Sequence, residues 1–382
     1  MRRRIEAHLV FAILATIAII LAASGGAYFT VAAQRNLWPF VVPTSPPTAA
    51  PTPSNVLVPA STTTPSLSDP RLPAVVTTTT PTPQKTPTAS QTPQALPHQF
   101  EYLTQWGSRG SGDSQFGGGP SGIATDQEGN VYAVDLANAR VQKFDNSGNY
   151  LSQWGHEGEG EGQFVAPIGI TVDRDGNVYV IGSSARIQKF SGTGHFLSQW
   201  GSRGGGEGQF RNPRGIAVDL EGNLYVADSA NARVQKFNGN GIFLGQWGTE
   251  GSGEGQFNFP IGITVDREGN VYVADTMNHR VQKFNGSGKF LSQWGSLGGG
   301  EGQFDEPRGI AVDLEGNLYV ADSRNARVQK FNGSGKFLSQ WGSAGSGEGQ
   351  FDLPFGIMVD QEENVYVADW NIARIQKFST RP

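Results

Sequence analysis

From residue 99 onward, apolar and polar positions fall into short runs that repeat one layout. Between residues 215 and 247, GIAVD (Gly215–Asp219) is followed by the turn LEGN and then LYVAD (Leu224–Asp228). The loop SANA, RVQKF (Arg233–Phe237), the turn NGNG and IFLGQW (Ile242–Trp247) complete the unit. Such runs, rich in Val, Ile, Tyr and Phe and bounded by Gly, Asn and Asp, predict antiparallel strands. The Asp-x-x-Gly-Asn and Asn-Gly-x-Gly links are hairpin chemistry, because Gly and Asn tolerate positive φ. A Trp closes every unit, at Trp106, Trp154, Trp200, Trp247, Trp294 and Trp341, with separations of 48, 46, 47, 47 and 47 residues. A fixed period of this size marks a repeat architecture, and four strands per period is the pattern of a β-propeller blade.

First strands begin at Gly122, Gly169, Gly215, Gly262, Gly309 and Gly356, which predicts six blades. The chain ends on ARIQKF (Ala373–Phe378), a third strand with no fourth after it, and the repeat region begins with QFEYLTQWG (Gln99–Gly107), a fourth strand with no blade before it. The N-terminal strand is therefore expected to complete the sixth blade, closing the ring three strands plus one and hiding the edges at its seam. The string P-x-G-I-x-V-D-x-x-G-N-x-Y-V-A-D-x-x-N-x-R-V-Q-K-F, as in Pro260 to Phe284, resembles the NHL-repeat family of six-bladed propellers. That resemblance covers residues 98–382 and implies the all-β propeller fold; function does not follow from fold, because propellers host many chemistries.

Two segments precede the propeller. In residues 1–35, Arg2, Arg3 and Arg4 stand before LVFAILATIAIILAA (Leu9–Ala23), a basic flank before an apolar run. This is a membrane-targeting pattern with the basic end on the cytoplasmic side. The run exceeds a usual signal-peptide core of about 7–15 residues, so a retained transmembrane signal anchor is expected. The alternative is a signal peptide cleaved after Val31-Ala32-Ala33, which would leave the protein secreted. Residues 36–97 form a Pro/Thr-rich segment, with 14 Pro and 14 Thr between 43 and 97. It is expected to be a disordered, PPII-rich stalk. Either reading places the propeller outside the cell.

Composition narrows the chemistry. There is no Cys, which removes disulfides, thiolate metal sites and a cysteine nucleophile. The net charge is −5 for the whole chain; residues 98–382 hold 23 Lys and Arg against 32 Asp and Glu, a net of −9. An acidic domain is a poor partner for a phosphate backbone, so no nucleic-acid partner is expected. The family resemblance brings two other possibilities. Relatives include peptidyl-α-hydroxyglycine lyases and lactonase-type hydrolases, which use metal-bound His and carboxylates in the channel, and RNA-binding propellers with a basic face. Here His98, His156, His195 and His279 share no short metal-ligand spacing and none lies on an innermost strand. No catalytic residue, metal or cofactor is expected, and the chain is read as a non-enzyme.

The glycine-rich stretch GSRGGGEGQF (201–210) suggests a phosphate cradle, but it occurs in six variants, each after a Trp. No helix follows it and no Lys-Ser/Thr completes a phosphate loop, so it reads as the crossing from the rim of one blade to the axis of the next. Features repeated six times read as architecture. Asp126, Asp173, Asp219, Asp266, Asp313 and Asp360 are expected to cap their own turns rather than form a carboxylate ring. Asp228 with Arg233 reads as a pair holding a loop, and Trp154 with Phe164 as packing between blades.

Departures from the repeat are the informative places. Blade two reads VYVIGSSARIQKF (Val178–Phe190), with one residue deleted and the loop Asp missing. Trp370 stands where other copies have Ser, Thr or Leu, and is expected to be an exposed aromatic. Ser121, Ile168, Arg214, Ile261, Arg308 and Phe355 precede the first-strand glycines and are expected to ring one mouth of the channel, an amphipathic candidate ligand site. The loops on that face carry Arg203, Arg324, Glu157, Glu159, His156, Met277 and His279, with His195 on the opposite face. Residues 197–243 and 291–337 match at 41 of 47 positions, which suggests a recently duplicated, multivalent surface. The expected function is a monomeric, extracytoplasmic binding scaffold for a protein, peptide or cell-envelope glycan. The alternatives are a hydrolase or lyase with a metal in the channel and, third, an RNA-binding propeller.

Overall fold

A computed structural model describes residues 100–380. The segments 1–35 and 36–97, with His98, lie outside the described residues. Among the described residues no helix is long and apolar enough to cross a membrane.

Six four-stranded antiparallel sheets follow one another along the chain. In blade three the strands are Pro213–Val218, Leu224–Asp228, Arg233–Phe237 and Phe243–Trp247, paired in sequence order. The first strand starts at Pro213 and stops at Val218, because Asp219 leaves the ladder to cap the turn. Its carboxylate accepts the backbone N–H groups of Glu221 and Asn223 at 3.0 and 2.8 Å. This is the local capping that the Asp-x-x-Gly-Asn pattern predicts. Its other oxygen accepts the Tyr225 hydroxyl at 3.0 Å, so the cap also fixes a buried ring.

The second strands, such as Val131–Asp135 and Leu224–Asp228, are buried at every position, whereas the outer strands alternate between half-buried and exposed. A strand covered on both faces reads as a continuous apolar run. The cover comes from neighbouring blades. Tyr132, Val134 and Val141 of blade one pack with Phe164, Val178 and Phe190 of blade two, and Trp154 lies against both sides. Equivalent clusters join two to three, three to four, four to five, five to six and six to one. Burying each large side chain contributes about 1.5–3 kcal/mol, so the ring is held by six such layers. Gly241 shows how tightly the layers fit: its φ is +83°, and an added Cβ would lie 2.6 Å from the Trp200 ring of the preceding blade.

The ring closes as the chain ends require. Glu101–Trp106 pairs antiparallel with Arg374–Ser379, register Glu101 to Ser379 and Trp106 to Ile375, and becomes the outer strand of blade six. Around the axis, each inner-strand glycine faces a carbonyl of the next blade. A Cβ on Gly215 would lie 2.2 Å from the Ile261 oxygen, and one on Gly356 would lie 2.5 Å from the Ser121 oxygen across the seam. These glycines are required by close approach of backbones rather than by turn geometry.

Candidate functional site: the channel mouth and the loop face

The glycine loops are built around a cation of the protein's own. Arg233 donates from Nη1 to the Gly205 carbonyl and from Nη2 to the Gly206 and Gln209 carbonyls, at 2.7–2.8 Å. Its Nε reaches Asp228 Oδ2 at 2.8 Å, and Asn231 Nδ2 bonds the same carboxylate and the Gly204 carbonyl. Arg140, Arg280, Arg327 and Arg374 repeat the arrangement. The loop thus turns carbonyls inward onto a guanidinium, the reverse of a phosphate cradle. It also ties the fourth-to-first loop to the second-to-third loop, which puts both on one face. The carboxylates of this device are fully buried, and burial raises those of Asp275 and Asp322 and pushes Asp369 up to about 6. Blade two departs here: Gly182 stands in place of the Asp, and Arg186 keeps the loop carbonyls of Glu159, Gly160 and Gln163 while its Nε has no hydrogen-bond partner.

The innermost strands enclose a cavity of about 250 Å³ on the axis. Its wall is largely Gly, Ile, Ala, Thr and Val, and Ser121, Ile168, Arg214, Ile261, Arg308 and Phe355 all line it. The sequence-predicted ring is therefore assembled, although most of its members are buried within the wall rather than open to solvent. Arg214 is 2% exposed; its Nε donates to Asn212 Oδ1 at 3.1 Å and its guanidinium lies 5.5 Å from the Phe259 ring centre. Burial, with the charge of Arg308 adding, pushes the Arg214 guanidinium down to about 10. Arg308 donates to Glu306 Oε2 at 2.8 Å and stacks 5.3 Å from Phe355. Burial lowers it too, and Glu306 offsets part of the cost.

A second ring escapes sequence reasoning. Ala166, Asn212, Phe259, Glu306 and Leu353, each directly before the strand-opening proline, have φ between +43° and +75°, and Gly119 occupies the sixth place. Left-handed backbone costs a non-glycine residue roughly 1–2 kcal/mol, and most for bulky ones such as Phe259. The turn sets Asn212, Phe259 and Glu306 beside the two arginines. The signal for it was the presence of Gly119 and Asn212, the two residue types most at ease there, in the same register.

The loop face holds the remaining candidates, not all of them together. Arg324 is 58% exposed and its Nε meets Glu306 Oε1 at 2.5 Å, so Arg308, Glu306 and Arg324 form one chain of charges. His279 Nδ1 accepts the Glu306 backbone N–H at 3.2 Å and joins the same group. Arg203 is exposed and reaches instead toward the Ser183 carbonyl of blade two at 3.4 Å. Exposed Glu157 and Glu159 lie on the blade-two loop, and the His156 ring lies 3.0 Å from the Gln163 amide nitrogen. His195 closes a turn with Ser191 at the opposite end of the sheet, as expected. Trp370 corrects an expectation. It is 8% exposed, 5.8 Å from Phe355, and its ring lies over Gly118 at the seam between blades six and one. Gly118 lies against the indole ring and Gly119 against the Trp370 backbone, where a side chain at either place would crowd it. Among the described residues no three His, Cys, Asp or Glu are grouped to hold a metal ion.

A six-bladed β-propeller with a ligand-sized axial cavity and a loop-built face is the class these observations define. The NHL repeat family model matches residues 210–237, 257–284 and 304–331, and a β-propeller repeat model matches 165–185. The chain is an NHL-repeat six-bladed propeller. Solved structures with the same fold include a protein of unknown function from Bacteroides thetaiotaomicron, 21% identical, covering 73% of this chain and 76% of its own, TM-score 0.56. A streptogramin B lyase is 17% identical over 73% of this chain and 97% of its own, TM-score 0.51. A gluconolactonase from Xanthomonas campestris is 16% identical over 69% and 87%, TM-score 0.51. No curated protein sequence matches the chain significantly.

Proposed function

We propose that this propeller is a non-enzymatic binding scaffold that offers its loop face to a protein, peptide or cell-envelope glycan. It works outside the cytoplasm, held at the membrane by residues 1–35, or secreted if that segment is removed. One observation carries the binding reading. Blades three and five differ at only six of 47 aligned positions, and four of the six are Arg203/Leu297, Arg211/Asp305, Asn212/Glu306 and Ala230/Arg324. All four lie on the loop face or at the channel mouth, and each changes charge. The other two, Asn240/Ser334 and Ile242/Lys336, lie in the turn between the third and fourth strands, so the copies keep their framework and vary mainly one face, which suits recognition.

The test is an array of cell-envelope glycans and proteins probed with the full chain and with its Arg203→Glu, Arg324→Glu double variant. A ligand bound by the first and lost by the second supports the loop face; a chain that binds nothing on the array sinks the reading. A second reading, hydrolysis or lyase chemistry in the channel, draws on the axial cavity and on the activities named for two structural neighbours. Stoichiometric Zn or Ca in the purified protein would favour it.

A further inference from the structure

The axial cavity adjoins the loop face, to which Arg308, Glu306 and Arg324 link it, and has a chemistry of its own. At about 250 Å³ it lies just below the roughly 300–1,000 Å³ usual for pockets that take drug-sized molecules. It is too small for a folded segment of another protein and suits a compact molecule. Most of the wall offers no charge: apart from the two arginines it is inner-strand backbone with Ile, Val, Ala and Thr side chains, and Ile168, Ile261 and Phe355 show only their edges at the mouth. Against this wall stand two guanidiniums, Arg214 and Arg308, on alternate blades and lining the same cavity. A buried arginine is expensive, and two that feel one another's charge are more so. The duplicated blades nevertheless both keep it, although the residue two positions earlier has changed from Asn212 to Glu306. Each guanidinium is also held in a fixed pose, Arg214 by Asn212 and Phe259, Arg308 by Glu306 and Phe355. Posed, desolvated guanidiniums favour planar anions, which they can bind through paired N–H donors.

We infer that the cavity binds a small carboxylic acid with an apolar body, its carboxylate facing Arg214 and Arg308 and its body against Ile168 and Phe355. The two guanidiniums stand on blades three and five with Ile261 of blade four between them, and the apolar side, Phe355 and Ile168, belongs to blades six and two. An amphipathic ligand is therefore oriented as well as held. Inorganic phosphate matches the charge but not the wall. The neutral amide of the same acid matches the wall but not the charge.

The test uses the full chain with phenylacetate, phenylacetamide and inorganic phosphate, read by calorimetry and by the shift in melting temperature. Phenylacetate is expected to bind saturably, with phenylacetamide and phosphate each at least about tenfold weaker. Arg214→Gln is expected to weaken phenylacetate at least about tenfold, while Arg203→Gln, on the loop face, leaves it unchanged. No phenylacetate binding up to about 10 mM, equal binding of acid and amide, or phosphate binding as tight as the acid each overturns the inference. If Arg214→Gln does not fold, the acid, amide and phosphate series on the unaltered chain decides the matter by itself. The loop-face reading stands or falls separately, since the acid, amide and phosphate series uses the unaltered chain and Arg203 lies clear of the cavity wall, whereas Arg324 touches Glu306, the partner of Arg308.

Discussion

Blades three and five are near-copies, yet the same arginine lives differently in each. Arg214 has a neutral amide from Asn212 and the face of Phe259. Arg308 has the carboxylate of Glu306, which it shares with Arg324, and the face of Phe355. Everything that builds the ring is the same in both: the inner glycine, the capping Asp, the Tyr it holds, and the Arg that gathers the glycine loop. Duplication copied the frame intact, and divergence then acted on the face around the axis. The pair therefore separates what the fold demands from what a ligand could read.

Four tests probe that separation, from largest effect to smallest. Gly215→Ala and Gly309→Ala should be equally severe, because each new Cβ would lie 2.2–2.3 Å from a carbonyl of the next blade. A loss above about 4 kcal/mol, or failure to fold, is expected in urea denaturation. A mild effect in either blade would show that the axis is looser than its geometry. Asp228→Ala and Asp322→Ala should each cost about 3–5 kcal/mol, since each leaves a buried arginine without its carboxylate. Unequal costs would mean the twin frames are not equivalent.

The third test asks for opposite signs. Arg214→Gln should stabilise the unliganded protein by about 1–3 kcal/mol, the scale of its lowered affinity for a proton. The sign follows from its folded value of about 10, well below that of the free side chain. Below pH 10 both states are charged and the cost is present in full; it is relieved only as pH climbs above 10. Arg308→Gln should instead destabilise by about 1–2 kcal/mol, because it breaks the bond to Glu306. Melting temperatures that move the same way in both variants would erase the contrast. Last and smallest, Asn212→Asp gives blade three the acidic neighbour of blade five. It should stabilise by up to about 1 kcal/mol and weaken phenylacetate a few-fold, measurable by the same melts and calorimetry.

Much of this molecule was legible in its residues because the repeat states each local rule six times. Strand order, the Asp caps, the Asp228–Arg233 pair and the three-plus-one closure all follow from patterns within one period or from the chain ends. What escaped depends on neighbours a blade away. Residues before proline usually adopt extended backbone, so the left-handed turn at Phe259 and Leu353 ran against the local signal. Trp370 looked like an exposed aromatic until Gly118 and Gly119, some 250 residues earlier in the chain, proved to leave it a seat. The mouth residues were rightly placed on the channel by register. Their burial, and the partners that pose the two arginines, come from packing between adjoining blades, which no single period encodes.

The pairing of Glu101–Trp106 with Arg374–Ser379 also has a consequence in time. Gln105 accepts from Arg374 across 269 residues, and this contact cannot form until the last blade has been synthesised. Earlier blades can stack on one another as they emerge, since each contacts mainly its neighbours, but the first strand must wait for the last. Refolding should therefore show a late, slow phase that belongs to the seam, as long-range pairing requires. Stopped-flow traces of a chain with Trp106→Phe would reveal whether that phase is the one its indole reports.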